Sequence, residues 1–136
     1  MRILMHMCCA SCTAQPLEIL HGQGIRIDGL YYKKSLHDDE TDIKHETEIK
    51  QFSQDHHLNV FVYPKIDETK YIHDEDCLDE IRIKKTFELG KDLGYDAVTT
   101  SLLASPNFSQ ERIIEIGLKY SKIYELPFYY QPFMNT

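Results

Sequence analysis

Apolar positions along this chain fall into short runs separated by longer amphipathic stretches. Arg2–Met7 (RILMHM) reads as a buried first strand. Thr13–His21 follows as a short helix, with Pro16 in its first turn, where a missing N–H is harmless, and Gly22 and Gly24 at its end. Ile25–Tyr32 (IRIDGLYY) is a second strand weakened by Gly29, and Lys33–Asp39 is a polar loop. Thr41–His56 has helical character, with Asp42 near the positive end of its dipole. Asn59–Tyr63 is a third strand stopped by Pro64. A helix at about Asp76–Leu93 ends at Gly94, and Ala97–Thr100 is a fourth strand. Ser109–Tyr124 is the clearest helix. Its Ile113, Ile116, Gly117, Tyr120 and Tyr124 form one face behind a Ser109 N-cap. Phe128–Tyr130 would make a fifth strand.

Strand and helix alternating in this way predict one α/β domain over residues 1–136: an open, mostly parallel five-stranded sheet with helices on both faces. Ligands of such sheets bind outside the carboxyl ends of the strands. Three segments reach that edge: the cysteines after strand one, Lys33–Asp39 after strand two, and Thr99–Gln110 (TTSLLASPNFSQ) after strand four. The expected site lies where they meet.

Composition narrows the class. The chain is 42% apolar and 27% charged, as soluble globular domains are. No apolar run approaches the roughly 18 residues of a membrane span, and Arg2–Met7 is too short for a signal peptide. A cytoplasmic protein with reduced thiols is expected. A net charge of -7 argues against a broad nucleic-acid surface, because phosphate binding rests on Lys and Arg.

The cysteines are the chemical signal. Cys8, Cys9 and Cys12 crowd into HMCCASC, and Cys77 is the fourth. Cys9 and Cys12 form a C-x-x-C between a strand and a helix, the position of a thioredoxin-like redox pair. Structural zinc sites usually take two separated pairs, whereas adjacent thiolates suit different irons of a cluster. A metal site of Cys8, Cys9, Cys12 and Cys77 is the reading, iron–sulfur ahead of zinc.

Together HMCCASC, YYKKSLHDDETD, IRIKKT and TTSLLASPNFSQERIIEIG resemble the QueH-type epoxyqueuosine reductases, over nearly the whole chain. The resemblance implies a fold related to adenine-nucleotide hydrolase-like (Rossmann-like) domains, with cysteines in place of the phosphate loop. It implies an iron–sulfur oxidoreductase that converts epoxyqueuosine in tRNA to queuosine. The implied cofactor is a [4Fe-4S] cluster, with an additional iron as a variant and zinc as the alternative. The implied partners are tRNA as substrate and an electron donor such as a ferredoxin or flavodoxin, with no membrane. Within the family's motif the adjacent pair, Cys8 and Cys9, ligates the cluster and Cys12 matches a further cysteine.

This chain departs from the family pattern in two places. The C-x-x-C expected before Ile81-Arg82-Ile83 is replaced by Glu75 and Leu78, so either Cys77 serves as a displaced ligand or the cluster is held differently. The family's late Cys-x-Cys has no counterpart in these 136 residues. Two alternatives therefore stand beside the reductase: an iron–sulfur sulfur-handling enzyme on the same fold, and a non-catalytic zinc-stabilised binding module.

Around the metal, His37 and Tyr32 are the catalytic candidates, as proton donor and base-stacking ring. Thr99, Thr100, Ser105 and Asn107 offer neutral hydrogen bonds to substrate, or else cap turns and helices. Arg82 is the cationic substrate contact, in a group with Lys84 and Lys85 that could grip phosphates alongside Lys33 and Lys34. His6, in a buried strand, reads as a core histidine.

Overall fold

The computed structural model describes residues 1–8, 10–32, 40–63, 75–105 and 109–130, with backbone alone for 40–42, 63 and 75–79. Its elements in chain order are β1 (Arg2–His6), α1 (Ala10–Gly22), β2 (Arg26–Tyr32), α2 (Glu40–Asp55), β3 (Val60–Tyr63), α3 (Glu75–Leu93), β4 (Ala97–Thr100), one 3-10 turn (Ser101–Ala104) and α4 (Gln110–Tyr124). All strand pairs are parallel and the order is β3-β2-β1-β4. Right-handed crossovers put α1 and α2 on one face of this sheet. The reversal of direction from β3 to β4 carries α3 and α4 to the other, where α3 packs on β1, β4 and α4. Among the described residues no helix is long and apolar enough to cross a membrane.

The described sheet has four strands, not five. Phe128 touches the free edge of β4 through a single parallel bridge to Val98. Two hydrogen bonds hold it there, from Val98 N–H to Pro127 O and from Tyr129 N–H to Val98 O. A ladder needs pairing on successive residues, and Pro127 supplies no donor. The apolar run instead delivers one ring: Phe128 packs on Phe87 and is 7% exposed.

β1 has Ile3, Leu4 and Met5 wholly enclosed, as a central parallel strand should. Gly29 interrupts β2 for a steric reason. A Cβ there would collide with the Met7 side chain, which lies across β2 on the α1 face. Likewise, Gly117 lets the Phe128 ring lie directly on α4. Burying a ring of that kind contributes about 1.5–3 kcal/mol. The face expected on α4 is the one it buries, through Ile113, Ile116, Gly117 and Tyr120. Ser109 caps the helix by accepting the Arg112 N–H.

One helix differs in a way that matters for the site. α1 begins at Ala10, three residues before the expected start, so Cys12 sits in its first turn and Pro16 in its interior. Pro16 has no N–H to give the Cys12 carbonyl four residues earlier.

Candidate metal and substrate site

β1 leaves the sheet at His6, passing through Met7 and Cys8 toward α1, while β4 leaves at Thr100 into the 3-10 turn. The two following helices go to opposite faces, so a crevice opens between the carboxyl ends of β1 and β4, where such sheets bind ligands. Two side-chain pairs join its walls. His6 Nδ1 lies 2.9 Å from Thr100 Oγ1, both residues being buried. The same Thr100 oxygen accepts the Leu102 N–H at 3.1 Å and so caps the 3-10 turn. One step further out, the Cys8 N–H donates to Ser101 Oγ at 2.8 Å, and the Ser101 hydroxyl donates to Cys8 Sγ at 3.2 Å.

Cys8 is buried and Cys12 half-buried. They supply the soft sulfur donors that iron–sulfur clusters take. Among the described residues no group of three or more His, Cys, Asp or Glu side chains comes together to hold a metal ion. Cys9 lies outside the described residues, and Cys77 falls in α3 with its side chain outside them. The described thiols therefore fit the implied group in chemistry, as part of a set.

The other expected residues divide. Tyr32 ends β2 and is buried. The β1–β2 register ends at His6↔Leu30, two residues before Tyr32 in β2. Thr99 is wholly buried, and among the described residues its Oγ1 has no hydrogen-bond partner. Thr100 serves the cap and His6, the structural role. Ser105 is buried and closes the 3-10 turn through its N–H to Leu102 O, while Gln110 Nε2 reaches the Leu102 and Ser105 carbonyls. His37 and Asn107 lie outside the described residues, as do Lys33 and Lys34.

Arg82 parts company with its neighbours. It is 4% exposed, whereas Lys84 and Lys85 face solvent, so the three make no common phosphate-gripping surface. Lys85 instead pairs with Glu88 along the helix. Positions 82, 86 and 90 share one stripe of α3, and a Cβ on Gly90 would meet Val98 and Leu4. Arg82 lies about two turns before Gly90 in α3.

Ser101 was not among the expected site residues. The signal that finds it is register: once His6 is paired with Thr100, the next residue of the β4 loop is the one that can reach the chain leaving β1.

The epoxyqueuosine reductase QueH family model matches residues 3–136. This chain is a member of that family. No curated protein sequence matches it. The solved U34-tRNA thiolase NcsA from Methanococcus maripaludis, with its [4Fe-4S] cluster, shares the fold at TM-score 0.60 and 7% identity. That alignment covers 97% of this QueH-family chain and 59% of the thiolase, so the chain spans about three-fifths of the length of that relative. A crystal structure of Acinetobacter baumannii MurG aligns at TM-score 0.47 and 11% identity, over 93% of this chain and 33% of that one.

Proposed function

We propose that this protein reduces epoxyqueuosine in tRNA to queuosine, using a [4Fe-4S] cluster held by its cysteines. The family match over residues 3–136 carries the proposal. Two further facts support it: Cys8 stands at the ligand-binding edge of the sheet, and the archaeal thiolase combines this fold with a [4Fe-4S] cluster and a tRNA substrate.

The reaction removes an epoxide oxygen. Both C–O bonds break, a C=C bond forms, and two electrons and two protons are consumed as the oxygen leaves as water. A bound cluster would supply the electrons singly at low potential, replenished by a ferredoxin or flavodoxin. Cys8, Cys9, Cys12 and Cys77 would hold it. His37 gives a proton to the leaving oxygen, and Tyr32, at the end of β2, offers its ring for stacking on the modified base. Thr99, next to Thr100 in β4, is a substrate contact on this reading. Ser105 and Asn107 are further substrate contacts on this reading, and Arg82 is the cationic one.

Anaerobic purification with iron and sulfide analysis, followed by incubation of the reduced protein with epoxyqueuosine-containing tRNA, tests this. The expected result is a brown protein and the loss of 16 mass units from the modified nucleoside, one oxygen. A colourless zinc protein overturns the cofactor. A reduced, cluster-bearing protein that leaves the epoxide intact overturns the substrate.

A further inference from the structure

We infer that Ser101 is a positioning residue of the metal site: its hydroxyl, oriented by the Cys8 backbone, donates to Cys8 Sγ and raises the reduction potential of a cluster ligated there. This rests on the cofactor reading above.

A serine hydroxyl has one proton and two lone pairs. The Cys8 N–H, 2.8 Å away, points at a lone pair, so the proton is free for the sulfur at 3.2 Å. The two bonds close a small ring between one residue's backbone and its own side chain. Rotation of the hydroxyl would break at least one of them. Ser101 is wholly buried, and it opens a 3-10 turn that Thr100 caps, so backbone and side chain are both fixed. Water does not compete for the sulfur from that side.

The physical consequence concerns charge. Reduction adds an electron to a cluster and its thiolates, and a hydrogen bond to a ligating sulfur stabilises the more negative state. In a buried, low-dielectric setting the effect is larger than in water. Ser101 would thus make the cluster easier to reduce and hold Cys8 Sγ in one direction. A purely structural serine, present only to satisfy the Cys8 N–H, would affect folding and leave the potential where it was.

Wild-type protein and Ser101→Ala, both purified anaerobically, are compared by iron and sulfide content and by spectroelectrochemical titration. The expected result is equal iron with a more negative midpoint potential in Ser101→Ala, returned toward the wild-type value by Ser101→Thr. Equal potentials at equal iron content overturn the role of Ser101 and leave the proposed activity standing. A wild-type protein without iron and sulfide overturns the cofactor reading, and this inference with it. Should Ser101→Ala fail to fold or load, resonance Raman spectra of the wild-type cluster in H2O and D2O answer the same question. Fe–S(Cys) stretches that shift on deuteration support the hydroxyl donor, and unshifted stretches overturn it.

Discussion

His6 Nδ1 and Thr100 Oγ1, 94 residues apart in sequence, stand 2.9 Å apart at the carboxyl ends of β1 and β4. The pair joins the two strands where their loops leave the sheet. Because Thr100 Oγ1 also accepts the Leu102 N–H, one oxygen ties the first strand to the turn that carries Ser101.

Thr100→Val keeps the β-branched shape and removes that oxygen. The Leu102 amide loses its cap, His6 loses this partner, and both are buried. Stranding a buried polar group costs about 1–3 kcal/mol, so urea denaturation should show a loss in that range. Thr100→Ser should recover most of it. A loss below about 0.5 kcal/mol, the scatter of ordinary substitutions, would mean the oxygen ties nothing.

Thr99→Val separates stability from function at the adjacent position. The Thr99 hydroxyl is buried without a partner among the described residues, so its removal should leave folding unchanged or strengthen it by up to about 1 kcal/mol. With the hydroxyl serving substrate, the same variant should show a raised KM in steady-state kinetics. A stabilised variant with unaltered kinetics would remove Thr99 from the site.

What could be read in the sequence follows a physical division. β4 was legible to the residue, Ala97–Thr100, because a short apolar run between Gly94 and a polar loop leaves little freedom. The apolar face of α4 was legible because its spacing repeats over four turns. Phe128–Tyr130 misled because one buried ring and a real strand give the same apolar run, and only backbone pairing distinguishes them. The early start of α1 was hidden by Pro16, which suggests a first turn yet is tolerated in this helix's interior. Of the site, Cys8 was evident from thiol density. Ser101 was not, because its role exists only once β1 and β4 are neighbours.

Gly117→Ala tests the packing that replaces a fifth strand. The new Cβ would overlap the Phe128 ring, which lies on α4 with no space beneath it. Overpacking of this kind costs about 1–3 kcal/mol. Alanine's better helix propensity offsets less than about 1 kcal/mol of that. The variant should therefore melt at lower temperature, and the amides of Val98 and Tyr129, which pair across this edge, should exchange faster. Unchanged exchange at both would show that Phe128 does not hold the edge of β4.

Tyr95 makes the alkaline limit of stability predictable. Its hydroxyl donates to the buried Asp28 Oδ2 at 2.6 Å, at the amino edge of the sheet and far from the cysteines. Burial, followed by that hydrogen bond and the Asp28 charge, pushes its pKa up from 10.0 to about 12, with Arg2 opposing. Between these values the folded protein keeps a proton that the unfolded chain has released. The folded state then binds more protons, so stability falls as pH rises. The contribution is complete below pH 10 and is lost through about pH 12. Tyr124, raised to about 12 by burial and then by its bond to Glu88, adds a slope of the same sign. Denaturation at stepped pH should show a shallower decline from pH 10 to 12 in Tyr95→Phe than in wild type. In a Tyr95→Phe, Tyr124→Phe double variant the decline should be shallower again. Parallel curves for wild type and Tyr95→Phe would mean that this phenol titrates alike in both states, and that its bond to Asp28 does not hold the proton.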